Sequence, residues 1–186
     1  MTINDRYPRE AVLCISGHRP EKLGFEPQDA AMMTKRLKSM LYLEMKDSLE
    51  SGYNTFVSGG SKGVDLWAAE IVIGWKNEGL PVRLITVLPY KSYGKSYTGL
   101  DIYHFNRALE NSDEVEYAGE EYVKSCMFRR NEMMVDRSSR LIAVIKDFRS
   151  GTGQTVRYAR RQGVEVRLID LNENAPLLSP LADFGN

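Results

Sequence analysis

Residues 55–70 read Thr-Phe-Val-Ser-Gly-Gly-Ser-Lys-Gly-Val-Asp-Leu-Trp-Ala-Ala-Glu, and no other stretch narrows the fold as much. The β-favouring run from Thr55 to Val57 meets Ser58-Gly59-Gly60, and a long apolar segment of helical character begins beyond Gly63. That is a strand, a glycine turn and a helix N-terminus. Such a junction aims backbone N–H groups and the positive helix end at one spot, which suits a phosphate or a carboxylate. Glycine removes the side chains that would hold an anion away from the backbone. The spacing matches neither G-x-G-x-x-G nor the phosphate loop that ends in Lys-Ser/Thr. A plain tight turn between strand and helix accounts for the glycine pair equally well.

The rest of the chain repeats this alternation. Ala11–Ile15 is an almost continuous apolar run, as in a strand buried on both faces of a parallel sheet. Leu141–Ile145 reads as a further buried strand, Val82–Leu88 and Val164–Ile169 read as strands, and the acid-bearing run Asp113–Tyr117 fits only an edge strand. Between them the spacing predicts helices from Asp29, as N-cap, to Ser51 and from Val64 to Trp75. Further helices are predicted over His104–Glu110, Glu120–Ser138 and Thr155–Gln162. In the first helix Met33, Leu37, Met40, Leu41, Met45 and Leu49 share one face, which reads as core packing. The helix after Gly63 is apolar nearly all round and calls for cover on more than one side, by the sheet and by a second copy in a homo-oligomer. Strands alternating with helices give an α/β, Rossmann-like fold: a mostly parallel sheet with helices on both faces. The expected organisation is an N-terminal lead-in over residues 1–10, a single Rossmann-like domain over 11–171 and an irregular tail over 172–186.

Composition narrows the partners. Lys plus Arg and Asp plus Glu number 25 each, a balance that argues against a protein that coats duplex DNA or anionic membrane. Nucleic acid is therefore not expected as a partner. Nor is a membrane, since no apolar run is long enough to span a bilayer, and with no signal peptide a cytoplasmic location is expected. Cys14 and Cys126 show no metal-ligand spacing, and His18 and His104 are the only histidines, so no metal and no cofactor is expected.

Three loops fall at the predicted C-terminal edge of the sheet, where open α/β sheets bind their ligands. Gly17, His18 and Arg19 follow the first strand and precede Pro20, which forbids an immediate helix. Lys91–Tyr103 sets Tyr93, Tyr97 and Tyr103 beside Lys91 and Lys95; it reads either as an ordinary surface loop or as a lid over a base and a phosphate. Ser150-Gly-Thr-Gly-Gln-Thr155 is a second glycine-hydroxyl turn ahead of a helix. Two such turns on one sheet can hold two ends of one anionic ligand, a nucleotide-like small molecule. Asp65 either complements its helix end or contacts a ribose hydroxyl.

Four elements in this order resemble the YpsA-like family of the SLOG superfamily: Ser-Gly-His-Arg-Pro at 16–20, the stretch 58–70, Arg-Asn-Glu-Met-Met-Val-Asp-Arg-Ser at 130–138 and the turn at 150–155. The likeness runs from about Ala11 to Ile169. The superfamily groups Rossmann-like domains related to DNA-processing protein A and to the Lonely Guy phosphoribohydrolases, and its members are held to bind nucleotides or derivatives such as ADP-ribose. The resemblance implies that Ser58, Gly59, Gly60, Gly63 and Asp65 line one side of a ligand, and that Gly151, Thr152, Gly153 and Thr155 take a phosphate. It implies too that Arg130 and Asn131 reach that ligand, Arg130 pairing a phosphate bidentately; by sequence alone Arg130 also reads as a surface helix arginine.

One departure limits the chemistry. Lonely Guy hydrolases carry Pro-Gly-Gly-x-Gly-Thr-x-Glu-Glu at the second turn, with a Glu that takes part in catalysis. Here Gly153-Gln154-Thr155 follows Gly151-Thr152, and neither Gln nor Thr serves as a general base near neutral pH. His18, Asp65 and Arg130 remain as catalytic candidates. His18 either supplies a titrating group or stacks on, or hydrogen-bonds to, a base or ribose. The expected function is binding of an ADP-ribose-like ligand at the sheet edge, as a sensor or regulatory domain. The alternative is cleavage or transfer at an N-glycosidic bond, and a weaker one is single-stranded DNA binding.

Overall fold

In a computed structural model that describes residues 7–173, six strands form one sheet that is parallel throughout. They are β1 (Val12–Gly17), β2 (Thr55–Ser58), β3 (Arg83–Leu88), β4 (Glu114–Tyr117), β5 (Arg140–Ile145) and β6 (Glu165–Asp170). Five helices connect them: α1 (Ala30–Glu50), α2 (Val64–Asn77), α3 (Gly99–Asn111), α4 (Cys126–Asp136) and α5 (Gly151–Arg161). The strand order is β4-β3-β2-β1-β5-β6. The chain steps outward from β1 to β4, then returns to lay β5 along the other side of β1, with Cys14 opposite Leu141. That reversal creates a crevice beyond the C-terminal ends of β1 and β5, the place where doubly wound sheets bind ligands.

The alternation inside β1 explains why it is apolar without interruption. Leu13 and Ile15 enter one core with Phe56, Leu84 and Ile142, beneath α1, α2 and α3. Val12 and Cys14 enter the other with Val57, Ile85 and Leu141, beneath Met134 and Val135 of α4 and Val156 and Ala159 of α5. A strand covered on both faces needs apolar side chains at every position. The edge strand β4 is only partly buried and keeps its acids, and Glu116 holds Arg137 through two bonds of 2.5 and 2.7 Å. Trp67 and Ile71 of α2 are half-buried and line a surface recess with the exposed Tyr42 and Leu43.

Helix boundaries depart from expectation for identifiable reasons. α3 starts at Gly99, ahead of His104, because Ile102, Phe105, Ala108 and Leu109 extend its packed face. α4 starts only at Cys126: Tyr122 and Val123, inside the helix expected from Glu120, lie exposed in a loop. That loop is anchored by the Lys91–Glu120 ion pair at 2.6 Å and by the Lys91 N–H donating to the Glu120 carbonyl at 3.3 Å. α5 starts at Gly151, before Thr155, because Ser150 caps it, its Oγ accepting from the Gly153 N–H at 3.2 Å. Asp29 occupies the N-cap of α1 without a side-chain capping bond. In the lead-in Tyr7 is buried, with the Arg83 guanidinium 5.0 Å above its ring. Residues 1–6 of the lead-in and 174–186 of the tail lie outside the described residues.

β1 ends against the start of α2. A Cβ on Gly17 would sit 2.5 Å from the Val64 Cβ, an atom that cannot swing away without moving the helix. Gly17→Ala is therefore expected to lower stability by about 1–3 kcal/mol through overpacking, read as a lower urea midpoint with an unchanged slope.

Candidate functional site

Beyond the ends of β1 and β5 lies a cleft of about 310 Å³. The segment after β1 supplies Ser16, Gly17, His18, Arg19 and Lys22, and the β2–α2 junction supplies Ser61 and Asp65. α4 contributes Met127, Arg130 and Asn131, and the start of α5 contributes Ser150, Gly151 and Thr152. Eight residues singled out from the sequence thus meet on one wall: Gly17, His18, Arg19, Asp65, Arg130, Asn131, Gly151 and Thr152.

The other candidates stand elsewhere. Ser58 is buried, its Oγ donating to the Asp65 carbonyl at 2.9 Å and accepting from the Gly60 N–H at 3.3 Å. Gly59 makes room for Arg130, since a Cβ there would lie 2.6 Å from the guanidinium carbon and 2.7 Å from Asp65 Oδ2. Gly60 faces Leu88, and Gly63 turns the chain into α2 at φ +84°, tight against Pro20 and the His18 carbonyl. Gly153 lies against the Phe148 backbone. Thr155 is one turn into α5, its Oγ1 donating to the Gly151 carbonyl at 3.1 Å and accepting from Asn131 Nδ2 at 2.8 Å. These residues build the wall from behind. The sequence reading missed Ser16, Ser61, Lys22, Met127 and Ser150. Ser61 and Ser150 had a signal, being the hydroxyls that close the first glycine turn and cap the second.

Arg130 and Asp65 form the electrostatic centre. Their side chains are 7% and 6% exposed, with Arg130 Nη1 3.7 Å from Asp65 Oδ2. Arg130 also donates through Nη1 to the Gly59 carbonyl, through Nε to Asn131 Oδ1 at 2.7 Å and through Nη2 to Ser61 Oγ at 3.3 Å. The guanidinium is committed to the protein, which leaves little of its fork for a ligand. Burial pushes the Asp65 carboxyl above its ordinary pKa, against the opposing pull of Arg130 and of the Ser61 N–H at 3.2 Å.

His18 is a strut. Its Nε2 accepts from the Lys146 and Asp147 N–H groups at 2.9 and 3.3 Å, so that nitrogen carries no proton and the neutral ring keeps its hydrogen on Nδ1. Burial first, then the Lys22 charge, lowers its pKa from 6.5. Gln154 and Thr155, in the turn that lacks the Glu, line a separate groove between α4 and α5 with Phe128 and Tyr158. Among the described residues the one carboxylate lining the cleft is that of Asp65, which is paired with Arg130. Among the described residues no group of three or more His, Cys, Asp or Glu is placed to hold a metal, and no helix is long and apolar enough to cross a membrane.

The family model described as the YspA SLOG family matches residues 13–173, from β1 to just past β6. The chain belongs to that family. Among its relatives, a UPF0398 protein of Bacillus cereus strain B4264 is 23% identical over 155 residues, 82% of this chain and 84% of the relative. The SPbeta prophage-derived protein YoqJ of Bacillus subtilis, described as uncharacterized, is 27% identical over 147 residues, 67% of this chain and 85% of its own length. DNA processing protein A from Streptococcus pneumoniae shares the fold at a TM-score of 0.53 and 20% identity, over 86% of this chain and 50% of that one. The Helicobacter pylori protein, whose structure is described for its single-stranded DNA binding mode, superposes at 0.57 and 20% identity, over 84% of this chain and 64% of its own. This SLOG chain thus spans half to about two thirds of those solved structures.

One expectation needs correction. Balanced charge had argued against nucleic acid as a partner, yet a protein with this fold binds single-stranded DNA. Net charge sums over the whole surface and says nothing of its distribution. Here Arg19 and Lys22 stand on the cleft wall with no carboxylate within ion-pair distance among the described residues.

The His18 strut has a measurable consequence. Because its folded pKa lies below 6.5, the unfolded chain takes up a proton that the folded chain refuses. The stability it contributes is complete above pH 6.5 and is lost as pH falls through the lowered folded value. His18→Gln keeps an acceptor for the Lys146 N–H and removes the titration. Urea unfolding between pH 7.5 and 5 is expected to show a shallower loss of stability in that variant, by up to about 1.4 kcal/mol per pH unit.

Proposed function

We propose that this chain binds the phosphate end of a nucleotide or nucleotide-derived ligand in the cleft beyond β1 and β5, as a sensing or regulatory domain. The charge balance of the wall carries the reading. Its one acid, Asp65, is buried against Arg130, while Arg19 and Lys22 are exposed and have no carboxylate partner among the described residues. Gly151 and Thr152, whose N–H groups at the start of α5 have no intrahelical acceptor, line the same cleft. Arg19, Lys22 and the α5 terminus take the anion, and the Arg130–Asp65 pair holds the wall that they stand on. N-glycosidic cleavage is not part of this reading, because His18 Nε2 is occupied and Gln154 faces another groove.

A single strand of DNA is the second reading, favoured by the fold shared with the Helicobacter pylori protein. Its phosphates would engage the same cations. Isothermal titration against ADP-ribose, NAD and nucleoside monophosphates is expected to give saturable heat, weakened about tenfold or more in the Arg19→Ala/Lys22→Ala variant, since charge-assisted bonds contribute about 1.5–3 kcal/mol each. A shift of labelled oligonucleotide that collapses with salt, without heat from small nucleotides, would favour the strand. Silence in both, from a folded protein, would sink the two readings together.

A further inference from the structure

Beside the phosphate cleft lies a second recess of about 480 Å³, and Arg19 and Met127 line both. Its wall is aromatic. Tyr90 meets Tyr122 at 5.7 Å and Tyr93 at 5.5 Å, with the rings nearly perpendicular at 88° and 85°. Tyr93 and Tyr97 pack in turn on Phe105, at 6.3 and 5.3 Å between ring centres. In this structure the segment packs as one wall of the recess. The wall is wired to the phosphate cleft as well: the Tyr93 hydroxyl lies 3.0 Å from Ser61 Oγ, which also accepts from Arg130.

Core packing accounts for Tyr93, which is buried. It does not account for Tyr122, which is 66% exposed at the rim of the recess. A flat apolar ring kept in water, next to a fixed aromatic partner and two cations, Arg19 and Lys95, has the composition of a base-stacking platform. No acid lines the recess, and Lys95 has no carboxylate partner among the described residues.

We propose that the recess is a base subsite: the nucleotide whose phosphate occupies the neighbouring cleft lays its nucleobase against Tyr122 and Tyr90, with Arg19 at the junction of the two spaces. The ligand class is then an intact nucleotide, base included, and not a sugar phosphate or pyrophosphate. The proposal rests on the phosphate-cleft reading, and its test separates the two. Tyr122 is chosen because its exposure in a loop leaves the fold little dependent on it.

The probes are 2-aminopurine riboside 5′-monophosphate, whose emission is quenched on stacking, and ribose 5-phosphate, which has no base. The nucleotide is expected to bind about tenfold or more tightly than ribose 5-phosphate, with quenching. Tyr122→Ala should abolish that advantage and the quenching while leaving ribose 5-phosphate affinity unchanged, and Tyr122→Phe should retain both. Equal affinity for the two probes, or an advantage that survives Tyr122→Ala, would overturn the base subsite and leave the phosphate cleft standing. Binding of neither probe would overturn the cleft and the subsite with it. Quenching seen only with a 2-aminopurine-containing single strand would overturn the free nucleotide as ligand and assign the platform to a strand.

Discussion

A charge buried without compensation costs several kcal/mol, and the Arg130–Asp65 pair is arranged so that neither charge is left alone. Arg130 comes from α4, Asp65 from the first turn of α2, and the Gly59 carbonyl and Ser61 hydroxyl from the turn between β2 and α2. One guanidinium thus holds three parts of the chain at fixed positions around the cleft. Gly59, one of the glycines read as lining a ligand, is small because the arginine occupies the space that a side chain would need. Removing either charge would strand the other in a site that water barely reaches.

Much of the fold was legible because its signals are local and redundant. Apolar runs marked β1, β3 and β5, alternation of apolar with charged residues marked β6, and acids marked β4 as an edge. Where boundaries moved, the cause lay beyond the local pattern. Tyr122 fits a helical stripe in sequence, but its ring is engaged by Tyr90, which no spacing reveals. Ser150 starts α5 early because its hydroxyl reaches the Gly153 amide, and the glycines that follow are helical residues and not a loop.

The candidate site was legible as a set of segments but not as a division of labour. All four motifs converge on the cleft, yet within each motif the residues split between those that face the cleft and those that brace it. Arg19 and Arg130 look alike on the page. Burial separates them, committing Arg130 to protein partners and leaving Arg19 exposed at the meeting point of two cavities.

The His18 strut joins backbone amides 128 residues away along the chain, and β1 finds β5 across a similar span. A cleft closed by such distant segments has no precursor in a partly synthesised chain. Contacts of this order form late and slowly, because loop closure must come before any stabilisation they bring. The walls of the cleft therefore come together only once β1 and β5 have paired. A ligand held in the cleft would by mass action stabilise the folded chain, and with it the pairing of β1 with β5 that the cleft requires.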